Sequence, residues 1–350
     1  MGRARVTLAD VAAASGVSIT TASLVLTGRA RELRISEAAE QRVRSTARDL
    51  GYQRGNPATR SRAGLSRTIG FVLGAVDSSG QAEDVVKGAV EAAYRRGFML
   101  LVSESRGDPA VGSALVEAMR DRQADGIVFA ATRTRTVAVP DELRHGPAVL
   151  LNATPARSGF PSVMSDEVRG GRSAARVLVE AGHVRGVHLI GAGPESHDVP
   201  PGGIAAVERL LGLRDVFARA GAEVVSEHPC PQWTAEAGYD ATWELLRRHR
   251  PQALVCLDDR LAFGAYQALA EAGLSVPDDV SVLGFGDHPV ASWTRPRLTT
   301  IALPHHDLGE RAVEVLLEVV EGRARGARPS PVHRVPMPVR EGGSVARARR

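Results

Sequence analysis

Residues 6–28, VTLADVAAASGVSITTASLVLTG, constrain the fold of this chain more than any other stretch. Thr7 is suited to cap a first helix, with Asp10 three residues later in the capping position. Gly16 ends that helix, and Ser18 is suited to cap a second one. Two short helices joined by a turn that contains glycine predict a helix-turn-helix, whose second helix lies in the DNA major groove. An ordinary helical hairpin within a core is the alternative.

The first 67 residues are strongly basic. They contain twelve arginines and no lysine against five acidic residues, which gives a net charge of +7. The whole chain carries +4, so the remainder carries −3. This asymmetry indicates a small head that binds a polyanion, joined to a mildly acidic body. The preference for arginine suits phosphate and guanine recognition, and GC-rich coding would produce it equally well.

Composition bounds the class of protein. The 350 residues suffice for a head and a body of two subdomains. Cys230 and Cys256 are the only cysteines, too few for a disulfide framework or a structural zinc site. The sequence shows neither an apolar leader nor a long apolar run, so we expect a cytoplasmic protein with no membrane partner. We expect residues 343–350 to form a flexible tail.

A third helix and a polar stretch follow the hairpin. Ser36 is suited to cap the helix, and Val43, Ala47 and Leu50 give it an apolar stripe that we expect to be buried. Residues 53–68, QRGNPATRSRAGLSRT, are polar and basic. A short helix there would be marginal on its own, so we expect a flexible linker when DNA is absent.

From residue 69 onward, apolar strands alternate with helices. The predicted strands are 69–76, 98–103, 126–131, 148–153, 187–192, 222–227, 253–258 and 280–285. The predicted helices between them are 83–96, 110–122, 168–181, 204–220, 235–249 and 260–272. Such alternation indicates an α/β fold with parallel sheets, which bind ligands beyond the carboxyl ends of their strands. So many units predict two doubly wound subdomains with a cleft between them.

Several stretches occur together in a characteristic order. They are TLADVAAASGVSITTASLVL (7–26), RISEAAEQRVRSTARDLGY (34–52), TIGFV (68–72), GHVRGVHLIG (182–191), RLLG (209–212), DDRLAFG (258–264), VPDDVSVLGFGD (276–287) and LTTI (298–301). On these stretches the chain resembles the LacI family of bacterial transcription regulators over nearly its full length. The resemblance implies a homodimer or a dimer of dimers with a periplasmic-binding-protein-like body. It also implies a regulator, more often a repressor than an activator, that binds operator DNA and is controlled by a small effector.

The resemblance also implies a domain layout. We expect a helix-turn-helix domain at 1–55, a hinge at 56–68 and an effector-binding and dimerisation domain at 69–342. Within the last domain, the expected N-subdomain is 69–164 with 290–322, and the expected C-subdomain is 165–289 with 323–342.

Carried over position by position, the resemblance gives candidate DNA contacts in the head. Ile19 and Leu24 are expected to pack against thymine methyls, and Thr20 to hydrogen-bond a base edge. Packing of Leu24 within the head is the alternative. The residues expected to contact the phosphate backbone are Arg3, Arg5, Thr7, Thr21 and Ser23, and Ser18 completes the DNA-binding set. We expect Ala22 and Val25 to face the core.

The hinge departs from the family pattern. Relatives usually insert a leucine into the minor groove, and a gapless alignment places Ser61 at that position. Ala58 matches a small residue that lets paired hinges approach, and Arg60 and Arg62 are suited to a narrow minor groove. Because serine cannot wedge base pairs apart, we expect weaker operator bending than in relatives that carry leucine.

The effector candidates also follow from the resemblance. Arg209 matches the family arginine that grips effector oxygens, and a surface position on its helix is the alternative. Trp233 stands where relatives often place a ring against a sugar face, and plain burial is the alternative. Asp166 aligns with an acidic position that lines the cleft. Asp77 follows the first strand, and Asp258 replaces the usual asparagine.

Other positions make an ordinary sugar effector less certain. Gly286 takes the place of a common ligand-binding aspartate and leaves Asp287 beside it. Residues 77–84 lack the aromatic pair often found after the first strand. Arg133 and Arg135 would favour an anionic ligand, or they are solvated loop residues.

Motifs for catalysis, metal or cofactor binding are weak, so we expect no enzyme and no cofactor. GAGP (191–194) lacks the spacing of a phosphate loop. His305 and His306, followed by Asp307, are expected in an extended segment, where neighbouring side chains point to opposite faces, so we expect no metal. An architectural DNA-binding protein without an effector and a solute-binding module remain as alternative functions.

Overall fold

The computed structural model describes residues 6–26, 30, 35–50, 52, 65–74, 81–155, 159–194, 199, 204–322 and 332–348. They form a head of three helices and two α/β lobes, each built on a six-stranded sheet. The candidates that lie outside the described residues are Arg3, Arg5, Ala58, Arg60, Ser61, Arg62 and Asp77, and the side chain of Arg133 also lies outside them.

The head consists of α1 (Leu8–Ser15), α2 (Ile19–Leu26) and α3 (Glu37–Asp49). The predicted cap of α1 is confirmed, because the Thr7 hydroxyl accepts a hydrogen bond from the Asp10 amide and the Asp10 carboxylate accepts one from the Thr7 amide. Gly16 has a φ of 68°, which ends α1 in the left-handed region. The Ser18 hydroxyl accepts from the Thr21 amide at 3.0 Å and so caps α2 as predicted.

A small apolar core holds the three helices together. Ala22 and Val25 are fully buried, which confirms that they face the core, and Val43 and Ala47 of α3 pack with them. Leu50 is 39% exposed, so its predicted burial is wrong. The reason is that α3 ends at Asp49, and the helical stripe does not continue to the next residue.

The first lobe contains one parallel sheet. Its strands are β1 (Thr68–Leu73), β2 (Met99–Glu104), β3 (Gly126–Val137), β4 (Ala148–Pro155), β5 (Ser162–Ser165) and β11 (Val332–Val335), in the order β11-β5-β4-β3-β1-β2. Its helices are α4 (Gln81–Arg95), α5 (Pro109–Asp121) and α11 (His305–Val320). The helices α4 and α11 cover one face of this sheet with a continuous apolar core.

The second lobe repeats this architecture. Its strands are β6 (Val187–Ile190), β7 (Val224–His228), β8 (Ala253–Cys256), β9 (Ser281–Gly286), β10 (Thr299–Ala302) and β12 (Val339–Arg340), in the order β12-β10-β9-β8-β6-β7. The pair β10–β12 is antiparallel and the other pairs are parallel. Its helices are α6 (Glu167–Glu180), α7 (Ile204–Ala220), α8 (Ala235–Arg248), α9 (Asp259–Glu271) and α10 (Pro289–Trp293).

The chain passes between the lobes three times, after β5, after β10 and after β11. This differs from the expected layout at two places. We expected 290–322 in the first lobe, but β10 pairs with β9 and buries Ile301 in the core of the second lobe. We expected 323–342 in the second lobe, but β11 pairs with β5 and buries Val335 in the core of the first.

The predicted flexible tail is wrong for residues 343–348. Ser344 is fully buried, its carbonyl accepts from the Val282 amide at 2.8 Å, and its hydroxyl donates to the Val282 carbonyl at 2.6 Å. The Ala346 amide donates to the hydroxyl of Ser281. The segment is ordered because it satisfies backbone groups of β9 that the charge pattern of the sequence does not reveal.

Taken singly, none of the described helices is long and apolar enough to cross a membrane. The helices α1 and α2, which are bent by 104° relative to each other, pass that test only as a joined pair, by length and composition.

Two glycines let α6 and α7 approach each other closely. A Cβ atom on Gly171 would lie 2.1 Å from the Arg209 carbonyl oxygen, and one on Gly212 would lie 2.0 Å from the Val168 carbonyl oxygen. Real Cβ atoms do not approach backbone this closely, so any side chain there must force the helices apart.

We predict that Gly212→Ala destabilises the protein by about 2 kcal/mol or more, because overpacking outweighs the gain in helix propensity of about 1 kcal/mol. The measurement is urea unfolding of the full chain. The control is Leu211→Ala, at a neighbouring side chain that is 55% exposed, for which we expect a change of less than about 0.5 kcal/mol. Equal stability of Gly212→Ala and the parent protein would show that the helix contact is loose.

Candidate functional site

The outward side of α2 carries the candidate DNA-reading residues. Ile19 is 55% exposed and Thr20 is exposed, so both lie on the solvent side of the helix. Ser23 and Leu24 are half-buried. An exposed isoleucine at the start of a short helix in a basic head is an apolar contact available to a partner.

Three candidate hydroxyls already have a structural role. The Ser18 and Thr21 hydroxyl oxygens lie 2.8 Å apart, and the Ser18 oxygen also caps α2. The Thr7 hydroxyl donates to the Asp10 carboxylate at 2.8 Å. These three residues therefore fix where α1 and α2 begin, in addition to any contact with phosphate.

The carboxyl ends of the parallel strands in the second lobe meet at one edge of the sheet, which we call the ligand edge. A buried ion pair forms the floor of this edge. The Arg209 Nε and Nη2 atoms each lie 2.9 Å from one carboxylate oxygen of Glu167, and Nη1 donates to the Leu257 carbonyl. Arg209 is 3% exposed and Glu167 is 1% exposed. The alternative that Arg209 lies on the protein surface is therefore wrong, because its guanidinium group is enclosed between the start of α6 and the end of β8.

Aromatic rings complete this floor. The Arg209 guanidinium carbon lies 4.4 Å from the centre of the Phe285 ring and 5.7 Å from that of Trp233. The Trp233 indole nitrogen donates to the Gly191 carbonyl at 3.0 Å, and the ring is half-buried. Arg209 and Trp233, predicted separately, are thus brought together at the carboxyl ends of the strands, and stacking on the rings restricts the guanidinium further.

Asp258 and Asp259 follow β8 and differ sharply in their surroundings. Asp258 caps α9 and holds the Arg260 side chain through contacts of 2.9 and 3.1 Å. Asp259 is fully buried and accepts from the Thr300 hydroxyl at 2.6 Å and from the His288 amide at 2.8 Å. Burial raises the pKa of Asp259 to about 7, against the effect of these two hydrogen bonds.

Asp259 is not among the site residues predicted from the sequence. The sequence does contain a signal for this residue, because two acids follow an apolar strand directly. When a helix begins at such a pair, one of the two side chains must point toward the core. Asp259 ties α9 to β10 and to the segment that follows β9, so it holds the ligand edge together instead of presenting a charge to solvent.

The remaining acidic candidates are also engaged. Asp287 adopts a φ of 57°, and its carboxylate accepts from Arg340 at 3.2 Å. Asp166 lies where the chain leaves β5, caps α6 by accepting from the Arg169 amide, and donates its own amide to the Val335 carbonyl at 2.8 Å. Asp166 therefore marks a crossing between the lobes. Arg135, on β3, is exposed.

An ion pair that the sequence did not predict joins the two lobes. Arg334 on β11 of the first lobe donates two hydrogen bonds of 2.6 Å to Glu208 on α7 of the second, and a third to the Ser165 carbonyl. Glu208 raises the pKa of Arg334, so the guanidinium stays charged. The two residues are 126 positions apart, and no local motif signals their pairing.

The expected extended conformation of His305 and His306 is wrong, because both begin α11. The ligand atoms of His306, Asp307 and Glu310 lie within 4.8 Å of one another. His306 also lies 3.0 Å from a Glu91 oxygen, and Arg95 pairs with Glu310. The helical geometry gathers these side chains, and as they stand they link α11 to α4 through ion pairs.

We predict that Asp259→Asn removes a pH dependence of stability. The pKa of Asp259 is about 7 in the folded protein and 3.8 in the reference state, so the folded state keeps a proton that the unfolded chain releases. The free energy of unfolding should therefore fall as pH rises from about 4 to about 7, by roughly 1 kcal/mol per pH unit, and level off above.

The measurement is urea unfolding of parent and variant at about pH 4.5, 6 and 7.5. The difference between them should change across this range, whereas Asp278→Asn, at an exposed residue, should leave the profile of the parent intact. Parallel profiles for Asp259→Asn and the parent would contradict the assignment.

Two family models match the chain. The model described as bacterial regulatory proteins, lacI family, matches residues 7–55, and the periplasmic binding protein-like domain matches residues 175–345. The first match covers the three helices of the head. The second begins within α6 and runs through the rest of the second lobe, the two later crossings between the lobes and the first residues of the ordered C-terminal segment.

Full-length relatives agree with these matches. The ribose operon repressor of Escherichia coli (strain K12) is 30% identical over 315 residues, which cover 89% of this chain and 92% of that protein. The HTH-type transcriptional repressor PurR of Klebsiella pneumoniae (strain 342) is 27% identical over 332 residues, 93% of this chain and 94% of that protein. Among solved structures, the transcriptional regulator CelR–cellobiose complex is 25% identical, covers 97% of this chain and 100% of that chain, and has a TM-score of 0.61.

Proposed function

The chain belongs to the LacI family of bacterial DNA-binding transcription regulators, and we propose that it is an operator-binding repressor controlled by a neutral, hydroxyl-rich metabolite held between its two lobes. The observation that carries the ligand class is the buried Glu167–Arg209 pair, which already neutralises the cleft arginine. The relatives named for a ribose operon and bound to cellobiose agree with this class.

The head supplies the DNA contacts in this proposal. Two copies of α2, one from each protomer of a homodimer, enter the major groove at the two halves of a pseudo-palindromic operator. Ile19, Thr20 and Leu24 read base edges, while Thr7, Ser18, Thr21 and Ser23 set the register on the phosphates. In the same proposal Ala58, Arg60, Ser61 and Arg62 form the hinge at 56–68 that joins the head to the body. Because Ser61 replaces the intercalating leucine, the operator is bent less than in most relatives.

Charge pairing supports a neutral effector. Three acids at the ligand edge are matched by arginines, in the pairs Glu167–Arg209, Asp258–Arg260 and Asp287–Arg340. An anionic ligand would have to displace Glu167 from Arg209 and leave a buried carboxylate without its partner, which costs several kcal/mol. Hydroxyl groups instead share these side chains as donors and acceptors, and Trp233 offers a ring face to a sugar. Asp77 and Asp166 complete the proposed effector set.

Coupling between effector and DNA runs through the three chain crossings. A ligand that favours one angle between the lobes changes the spacing of the paired hinges and so the grip of the heads on DNA. The Arg334–Glu208 ion pair joins the two lobes and so stabilises the arrangement that they adopt in this structure. The effector shifts DNA affinity only by its preference between the two arrangements. We propose further that the protein acts in the cytoplasm and carries out no catalysis.

We predict that Ile19→Ala and Thr20→Ala each weaken specific DNA binding by about 1–3 kcal/mol, because each removes a contact to a base. Operators are first selected from fragmented genomic DNA with the full chain, and affinities are then measured at fixed, moderate salt against random competitor. The control is Gln41→Ala on the exposed side of α3, for which affinity should be unchanged. Failure of the parent protein to enrich any fragment would overturn the assignment as a DNA-binding regulator.

We also predict which ligands raise the melting temperature. Neutral sugars and polyols should include at least one stabilising compound, whereas the sugar acids with the same carbon skeletons should not stabilise the parent protein. In Glu167→Gln the charge of Arg209 is no longer matched, so the sugar acid should gain binding relative to the neutral compound. Stabilisation of the parent by a sugar acid alone would contradict the neutral class, and no response to any metabolite would favour the architectural alternative.

A further inference from the structure

A cavity lies on the pair of helices that also carries Glu167 and Arg209. Beyond the close contact at Gly171 and Gly212, α6 and α7 frame a cavity of about 480 Å³. Its lining is Arg172, Arg176, Asp215, Val216, Arg219 and Ala220. At a rise of about 1.5 Å per residue, Arg172 is roughly 7 Å further along α6 than Glu167, so the cavity is separate from the ligand edge.

The charges in this cavity do not balance. Arg172 donates to one oxygen of Asp215 at 2.9 Å, and Arg219 lies 2.8 Å from the other. The hydrogen bond from Arg172 holds the pKa of Asp215 below its ordinary value, so this carboxylate is ionised. Arg176 is exposed and has no ion-pair or hydrogen-bond partner in the described part of the chain. Three guanidinium groups around one carboxylate leave a surplus of two positive charges.

The surplus is local to these helices. Residues 68–350 carry a net charge of −3, so a cluster of three arginines at a concave site does not follow from a basic body. The contrast with the ligand edge is direct, because in the three ion pairs there one acid is matched by one arginine, whereas here one acid is shared by two arginines and a third stands beside them. Concave surfaces with one sign of charge concentrate ligands of the opposite sign.

We propose that this α6–α7 arginine pocket binds a small oxyanion of charge −2, as a site separate from the effector cleft. Guanidinium groups present planar pairs of donors that match the oxygens of phosphate or carboxylate, and a dianion matches the surplus of two charges. Val216 and Ala220 give the cavity an apolar side that suits a compact ligand. Both a phosphate group and a dicarboxylate have the required chemistry.

The test uses the full chain and two probes, inorganic phosphate and succinate, titrated by calorimetry at constant ionic strength with chloride as the balancing anion. The variant Arg176→Gln/Arg219→Gln keeps the Arg172–Asp215 contact and removes two charges. We expect at least a tenfold weaker affinity for the bound anion. The control is Arg248→Gln, on an exposed ion pair of α8 in the same lobe, for which affinity should be unchanged.

The two probes distinguish the sources of the ligand. Binding of phosphate identifies a phosphate-bearing compound, and binding of succinate alone identifies a dicarboxylate. If the double variant does not fold, Arg176→Gln alone serves, since its side chain has no described partner to lose, and several-fold weakening is expected. The proposal is overturned if neither anion binds more tightly than chloride, or if the pocket variant and the Arg248 variant lose affinity equally.

Discussion

The buried ion pair between Glu167 and Arg209 is the interaction on which the second lobe and its ligand edge depend. It joins the first residue of α6 to α7, and the same guanidinium reaches the carbonyl of Leu257 at the end of β8. Loss of one partner would leave a buried charge uncompensated, which typically costs about 3–5 kcal/mol. The pair therefore fixes where α6 and α7 begin to pack against each other, and it determines the net charge that a ligand meets in the cleft.

The packed helices α6 and α7 carry two regions that suit different kinds of ligand. At their starts, charge is matched and aromatic rings surround the guanidinium, which suits hydroxyl groups. Further along, past the glycine contact, the arginines outnumber the acids, which suits an anion. In our proposals, the regulator binds a neutral metabolite in the cleft and an anion at a second surface on the same pair of helices.

The sequence revealed the features that depend on neighbours along the chain. The caps at Thr7 and Ser18 and the parallel strands of the two sheets follow from residue types at fixed spacing, and the structure confirms them. Features that depend on distant partners were not predictable in this way. Three such features depend on which segments become neighbours in the fold. They are the pairing of β10 with β9 in the second lobe, the ordered position of Ser344 and the Arg334–Glu208 pair. For the same reason Arg209 was identified as a site residue, but its burial against Glu167 was not foreseen.

A double-mutant cycle on the buried pair tests the central claim most directly. The free energy of unfolding of the full chain is measured for Glu167→Gln, Arg209→Gln and the double variant by urea titration. We predict a loss of about 3 kcal/mol or more for each single variant and a double variant much more stable than the sum of the two losses implies, because it buries no unpaired charge. Single losses below about 0.5 kcal/mol that simply add in the double variant would contradict the account.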